Sequence, residues 1–212
     1  MVVPVLVALT VLGDPGRWRD IGFSVEQDGS CQVGAVRLQV SPPEEGGRPG
    51  IDGWAFAGLH DPPMGIDGIP TEAASEATAR PVGHPNGVTS LDHVVVTTPD
   101  LGRTVTALEG AGLRVLRERD TDTGGRPMRQ VFLRPGEAVI ELVGPPAPSG
   151  SGRARFFGLA FTVTDLDAVA SLLGARLGTS KAAVQPGRRI ATVRSDAGPG
   201  VPVAFMSGLP AD

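Results

Sequence analysis

At 212 residues the chain is long enough for one large domain or two small ones with a substantial core. Nineteen basic and twenty-three acidic residues are dispersed without a run of one sign, and no basic stripe is interleaved with aromatics, which argues against a nucleic-acid partner. The single cysteine, Cys31, excludes an intrachain disulfide framework and a multi-cysteine zinc site, so a cytoplasmic, reducing setting is expected.

The opening run MVVPVLVALTVLGDP is apolar, yet it lacks a basic start and a small-residue cleavage site and is too short to span a membrane. It predicts a buried β-strand ended by the turn residues Gly13, Asp14 and Pro15. A short helix follows in DPGRWRD, with Asp14 as N-cap and Pro15 behind it. The runs GFSVEQDG, CQVGAVRLQV and GWAFAGL are strand candidates, and Cys31 within the alternating SCQVGAVRL reads as a structural thiol. Together these make a βαβββ-like unit over residues 1–60. Residues 61–87 are rich in Pro, Gly and small residues without a sustained period and read as a linker, within which Asp67 and Gly68 mark a turn.

Beyond the linker the chain repeats itself. LDHVVVTTPDL, Leu91 to Leu101, is answered by FFGLAFTVTDL, Phe156 to Leu166. In the first copy, residues 88–147, the β-branched LDHVVVTT predicts a strand and Thr98 caps a helix whose apolar face is Leu101, Val105 and Leu108. Three strands follow in LRVLRER, MRQVFLR and AVIELVG, separated by TDTGGRP and RPGE. GPPAPSGSGR is an exposed connection to the second copy, residues 153–209. There FGLAFTV is the first strand, Thr164 opens a helix lined by Leu166, Val169, Leu173 and Leu177, and further strands fall near Ala182 to Val184, in RRIATVR and in VPVAFMS.

The residues LDHVVVTTPDL, AVIELVG, GLAFTVTDLDA and VPVAFMSG resemble the vicinal oxygen chelate superfamily, which includes glyoxalases, extradiol dioxygenases, and fosfomycin and bleomycin resistance proteins. The resemblance implies an α+β fold in which two βαβββ units form a cupped mixed sheet, here preceded by a third, N-terminal unit. It also implies positions for a divalent metal on the first and last strands of each unit. His93 and Glu141 stand at those positions in the first unit, whereas Gly158 and Phe205 stand at the matching places in the second.

Strand alternation puts His93 on a face with Leu91 and Val95, and Glu141 on a face with Val139 and Val143. An imidazole and a carboxylate suit Zn, Fe, Mn or Ni, but a protein site normally supplies three or four ligands. Further ligands could come from His84, His60, or a carboxylate of the linker or a partner chain. The alternative is structural, with His93 held by Asp92 and Glu141 paired with Arg129 or Arg134.

In the second unit Gly158, Ala160 and Thr162, with Val203, Phe205 and Ser207, would build a small apolar wall on which Phe205 stacks a flat ligand or fills the core. Arg188 and Arg189 point to opposite faces, so at most one faces a pocket, and Arg189 is the candidate for holding a substrate carboxylate or phosphate. The expected function is a metal-assisted lyase, isomerase or dioxygenase acting on a small oxygenated metabolite, with Glu141 as metal ligand and base. The alternative is a metal-free small-molecule binding protein of the bleomycin-resistance type, and a third reading is a structural or regulatory dimer module. The odd number of units makes a homodimer the expected assembly.

Overall fold

The computed structural model describes residues 3–59, 65–75 and 82–208. Two sheets make up the described residues, and one continuous apolar core joins them. The N-terminal sheet contains β1 (Val5–Leu12), β2 (Ser30–Val33), β3 (Val36–Ser41), β4 (Gly50–Ala57) and β5 (Thr71–Ala74), in the order β2-β3-β1-β4-β5. Helix α1 (Pro15–Asp20) follows β1, and the Asp14 carboxylate accepts from the Gly16 amide at 2.7 Å, as the capping pattern predicts.

The larger sheet contains β6 (Val88–Thr97), β7 (Val115–Thr123), β8 (Arg126–Leu133), β9 (Val139–Gly144), β10 (Arg155–Val163), β11 (Lys181–Ala182), β12 (Arg189–Thr192) and β13 (Val203–Ser207). Its order is β11-β12-β13-β10-β6-β9-β8-β7, which is two βαβββ units joined antiparallel through their first strands, β6 and β10. In each unit the first strand pairs in parallel with the last, β6 with β9 and β10 with β13. Helices α2 (Leu101–Gly110) and α3 (Leu166–Leu173) make the crossovers. Their caps are Asp100 and Asp165, each one or two residues beyond the threonine that the sequence suggests, because each carboxylate reaches first-turn amides at 2.8–3.1 Å.

The N-terminal sheet departs from its expected layout. CQVGAVRLQV is not one strand but a hairpin, β2 and β3, turning at Gly34 (φ 55°) and Ala35. GWAFAGL is not the closing strand of the N-terminal unit, because β4 runs antiparallel to β1, while β3 is the strand parallel to β1. β5 lies within the stretch read as linker and runs parallel to β4, as β13 does to β10. Its sequence TEAA shows no apolar alternation, so its strand state comes from pairing with β4, fixed by the Trp54 Nε1–H donating to Thr71 Oγ1 at 2.7 Å. The pair β4 and β5 thus has the topology of a shortened fourth unit, and the odd count that motivated a homodimer becomes an even one.

One face of the large sheet turns toward the N-terminal half. Leu91, Phe161 and Phe205 lie on it, each no more than 1% exposed, and Phe23 packs on Phe161 and Phe205 with ring centroids 4.9 and 6.0 Å away. Trp18 of α1 meets Phe161 edge-on at 6.3 Å, and Trp54 of β4 meets Phe156 at 5.0 Å. These aromatic contacts make the two sheets a single packed body, with the opposite face of the large sheet left open.

A polar bolt lies at the edge of this junction. Ile66 and Ile69 bridge across a tight turn in which Asp67 (φ 48°) and Gly68 (φ 87°) both adopt left-handed backbone. The turn presents the Asp67 carboxylate to α2, where Arg103 Nε and Nη2 donate to it at 2.7 and 3.1 Å and the Thr104 hydroxyl also donates. Partial burial would raise the Asp67 carboxyl, but the hydrogen bonds from Arg103 and Thr104 and the Arg103 charge outweigh it and hold the group below its usual range. A carboxyl lower in the folded than in the unfolded chain stabilises above about pH 4, and that stabilisation fades as the pH falls through the folded value. Asp67→Ala should therefore cost about 2 kcal/mol in urea unfolding near neutral pH, and less at pH 3.

Candidate functional site

The open face of the large sheet forms a cleft of about 560 Å³. Residues of β7 and of β11, the two ends of the strand order, line the same cleft, so the sheet curls into a cup. Asp92, His93 and Glu141 form its floor, and Leu116, Phe132, Val184, Ile190 and Met206 are among its apolar walls. The structure thus brings His93 and Glu141 together, with His93 Nε2 3.5 Å from Glu141 Oε2.

Asp92 is there because β6 bulges. Ala160 of β10 pairs with His93 and Phe161 with Leu91, which leaves Asp92 as an extra residue. A bulge re-aims side chains, so Asp92 and His93 both face the cleft while Leu91 turns to the core, and simple alternation fails at that point. Asp92 Oδ1 lies 2.9 Å from His93 Nδ1, and Asp92 Oδ2 accepts from Arg188 Nη2 at 2.5 Å and from the Thr162 hydroxyl at 3.0 Å. Burial alone would raise the Asp92 carboxyl, but hydrogen bonds from His93 and Arg188 and the charge of Arg188 outweigh it and hold it at about 2. An ionised Asp92 can only accept, so Nδ1 carries a ring proton toward it, and Nε2 is the ring nitrogen turned toward Glu141.

On the other side, Gln130 Nε2 donates to Glu141 Oε1, and Arg119 Nε donates to Gln130 Oε1 at 2.9 Å. Two hydrogen-bonded runs therefore meet on the cup floor, one through Arg188, Asp92 and His93 and one through Glu141, Gln130 and Arg119, with His93 Nε2 and Glu141 Oε2 3.5 Å apart between them. Glu141 pairs with neither Arg129 nor Arg134. Arg129 lies on the outer face against Asp120 at 2.6 Å and Glu118 at 3.5 Å.

The residues proposed for the second unit lie elsewhere. Phe205 is fully buried against Phe23 on the packed face. Gly158 is buried too, and a Cβ there would sit 2.7 Å from the Pro202 carbonyl oxygen, so backbone fills the space. Arg189 points outward and pairs with Asp167 of α3 at 2.7 Å. Its neighbour Arg188 takes the inward position, with its side chain 5% exposed, and also donates to the Ser207 carbonyl at 2.7 Å.

The ladders also correct the correspondence between units. His93 pairs with Ala160 and Gly158 with Val95, so His93 and Gly158 are symmetry mates. Val95 pairs with Glu141, and its mate Ala160 pairs with Ala204, which makes Ala204, not Phe205, the counterpart of Glu141. The second unit offers glycine and alanine where the first offers imidazole and carboxylate.

His84 is not a further donor to this cleft. Its Nδ1 accepts from the Ser24 amide at 3.0 Å, its Nε2 meets the Gln32 carbonyl at 2.9 Å, and burial lowers its pKa, so it is a neutral structural histidine. His60 lies outside the described residues. Cys31 is buried with its thiol pushed up to about 12, consistent with a structural role.

A divalent cation fits the chemistry of the floor. Zinc bonds to imidazole nitrogen and carboxylate oxygen of about 2.0–2.2 Å sum to more than the 3.5 Å between His93 Nε2 and Glu141 Oε2, so one ion can reach both. Asp92 on the far ring nitrogen is the outer carboxylate that commonly orients such a histidine. No group of three or more His, Cys, Asp or Glu side chains suited to a metal occurs among the described residues.

Residues 90–188 match the model of the Glyoxalase/Bleomycin resistance protein/Dioxygenase superfamily. That stretch, just under half of the chain, is similar to the superfamily. The whole chain is similar in fold to a variant of 4-hydroxymandelate synthase from Streptomyces coelicolor, at 16% identity and a TM-score of 0.66, covering 98% of this chain and 93% of that one. It is likewise similar to BphC, a halotolerant catechol dioxygenase, at 14% identity and 0.64, covering 98% and 88%. Methylmalonyl-CoA epimerase from Mycobacterium tuberculosis is 23% identical, with a TM-score of 0.46, over 58% of this chain and 91% of its own. No curated protein sequence matches the chain. No helix among the described residues is long and apolar enough to cross a membrane.

Within this site, sequence reasoning finds His93, Glu141 and the contact of His93 with Asp92, leaves open which of Arg188 and Arg189 faces inward, and misses Arg119 and Gln130. A β-bulge leaves no mark in the alternation, which hid that Asp92 faces the cleft beside His93. The Arg119 signal was present: in RVLRERD, Arg117 and Arg119 share one strand face and Glu118 and Asp120 the other.

Proposed function

We propose that this chain is a metal-assisted enzyme of the superfamily, acting in the reducing cytoplasm on a small oxygenated metabolite held in the cup. The observation that carries the reading is the convergence of His93 Nε2 and Glu141 Oε2 on the cleft floor, with Asp92 fixing the imidazole from behind. A bound divalent cation would polarise a substrate carbonyl or take up neighbouring oxygens. Glu141 has a second part, because its carboxylate can move a proton to or from a substrate carbon or hydroxyl beside it. Gln130, anchored by Arg119, donates to one Glu141 oxygen and leaves the other turned toward His93. The apolar walls suit the non-polar part of such a substrate.

The second reading, a binding protein that sequesters a compound without metal, is favoured by Gly158 and Ala204, which leave the floor with two donors instead of three or four. Titration of the chelator-treated protein with Zn²⁺, Mn²⁺, Fe²⁺ and Ni²⁺ separates the two. The enzyme reading expects one site per chain for at least one ion, weakened about 100-fold or more in His93→Ala and in Glu141→Gln. Absence of binding for all four ions would leave the sequestering reading.

A further inference from the structure

We infer that the molecule taken into this cleft is a small organic oxyanion, a carboxylate or phosphate on an apolar skeleton, an inference that rests on the reading of the cup as the substrate site. The argument is the distribution of charge over the two faces of β7 and β8. On the outer face Arg129 is neutralised by Asp120 and Glu118. On the cleft face Arg117, Arg119 and Arg134 line the cavity, joined across the opening by Lys181 of β11. Among the described residues none of these four has a carboxylate within salt-bridge distance. The carboxylates of the cavity wall are Asp92, already paired with the buried Arg188, and Glu141, whose single negative charge is held by the neutral Gln130 amide and is outnumbered by these four cations.

Two of the cations are also aimed by uncharged groups. The Arg117 guanidinium lies 4.3 Å over the Phe132 ring, and Arg119 is held by the Gln130 amide oxygen. Such partners fix a guanidinium without cancelling its charge, which leaves a positive field inside the cup for an incoming anion. The skeleton of the ligand is set by what lies beside those charges. A second bulge, between Val115 and Arg117 of β7, turns Leu116 into the cleft although it is 62% exposed, and Val184 of the opposite rim is 68% exposed. Two exposed aliphatic side chains flanking unpaired cations describe an amphipathic anion rather than a free inorganic ion.

Calorimetric titration of the metal-free full chain with benzoate, phenyl phosphate and the neutral isostere benzamide tests this. The expected result is about ten-fold or more tighter binding of both anions than of benzamide, a margin that shrinks with added salt. In the Arg117→Gln/Arg134→Gln variant the margin collapses toward one, and Lys181→Gln reduces it from the other rim; in Arg129→Gln, which removes the same charge from the outer face, it persists. Equal binding of anion and amide, no measurable binding of any probe, or a margin untouched by the cleft variants would overturn the inference. The protein is metal-free throughout, so a failed metal titration and a failed anion preference are read separately.

Discussion

Truncating the ring of Phe205 to alanine should destabilise the protein by about 3–5 kcal/mol and lower its melting temperature by roughly 10 °C, while leaving binding in the cleft unchanged. Phe205 is fully buried, stacks on Phe23 across the junction of the two sheets, and pairs in register with Phe161, which itself packs on Trp18 and Phe23. Its loss opens a cavity between elements from both halves of the chain, where neither sheet can close over it alone. Thermal unfolding with cleft binding measured on the same preparation checks both parts. A melting temperature within a degree or two of the parent, or a specific loss of ligand affinity, would place the ring in the cup instead.

Removing the Asp92 carboxylate should act on stability and site together. Its partner Arg188 has a side chain only 5% exposed, so Asp92→Ala leaves a buried guanidinium with no carboxylate partner, a loss of about 3 kcal/mol or more. The same change frees His93 Nδ1, so the imidazole loses the contact that fixes its tautomer and ring orientation. Metal affinity should then fall by about 10- to 100-fold even though Asp92 is not itself proposed as a ligand. Arg188→Met/Asp92→Leu separates the two effects, since an apolar pair should recover much of the stability without restoring affinity. Recovery of both together would show that His93 needs no orienting carboxylate.

How much of this was legible follows from what each pattern encodes. The pair LDHVVVTTPDL and FFGLAFTVTDL carries two strand-to-helix units because β-branched alternation and cap chemistry are local, and the first strands of both units, β6 and β10, lie side by side in the sheet. His93 and Glu141 were legible for the same reason, as polar residues on otherwise apolar strands. The N-terminal half was less so. Nothing in TEAA marks a strand, and only pairing with β4 makes it one. Residues 31–40 read as one alternating run because Gly34 and Ala35 preserve its period while reversing its direction. Matching VPVAFMS to AVIELVG one residue out of register is what offers Phe205 to the cup as well as to the core, and a slip of one residue turns every side chain to the other face; the structure takes the core alternative. Arg188 and Arg189 show the same limit, since alternation says that one faces inward and only the strand register says which.

The central claim is that the first unit's His93 and Glu141 make the cup floor a cation site. Anomalous diffraction from crystals grown with Mn²⁺ or Zn²⁺ tests it most directly. The account predicts a single strong peak in the cleft, about 2.0–2.2 Å from both His93 Nε2 and Glu141 Oε2, that disappears in Glu141→Gln. A cleft without a peak, or a peak bound by neither residue, would contradict it.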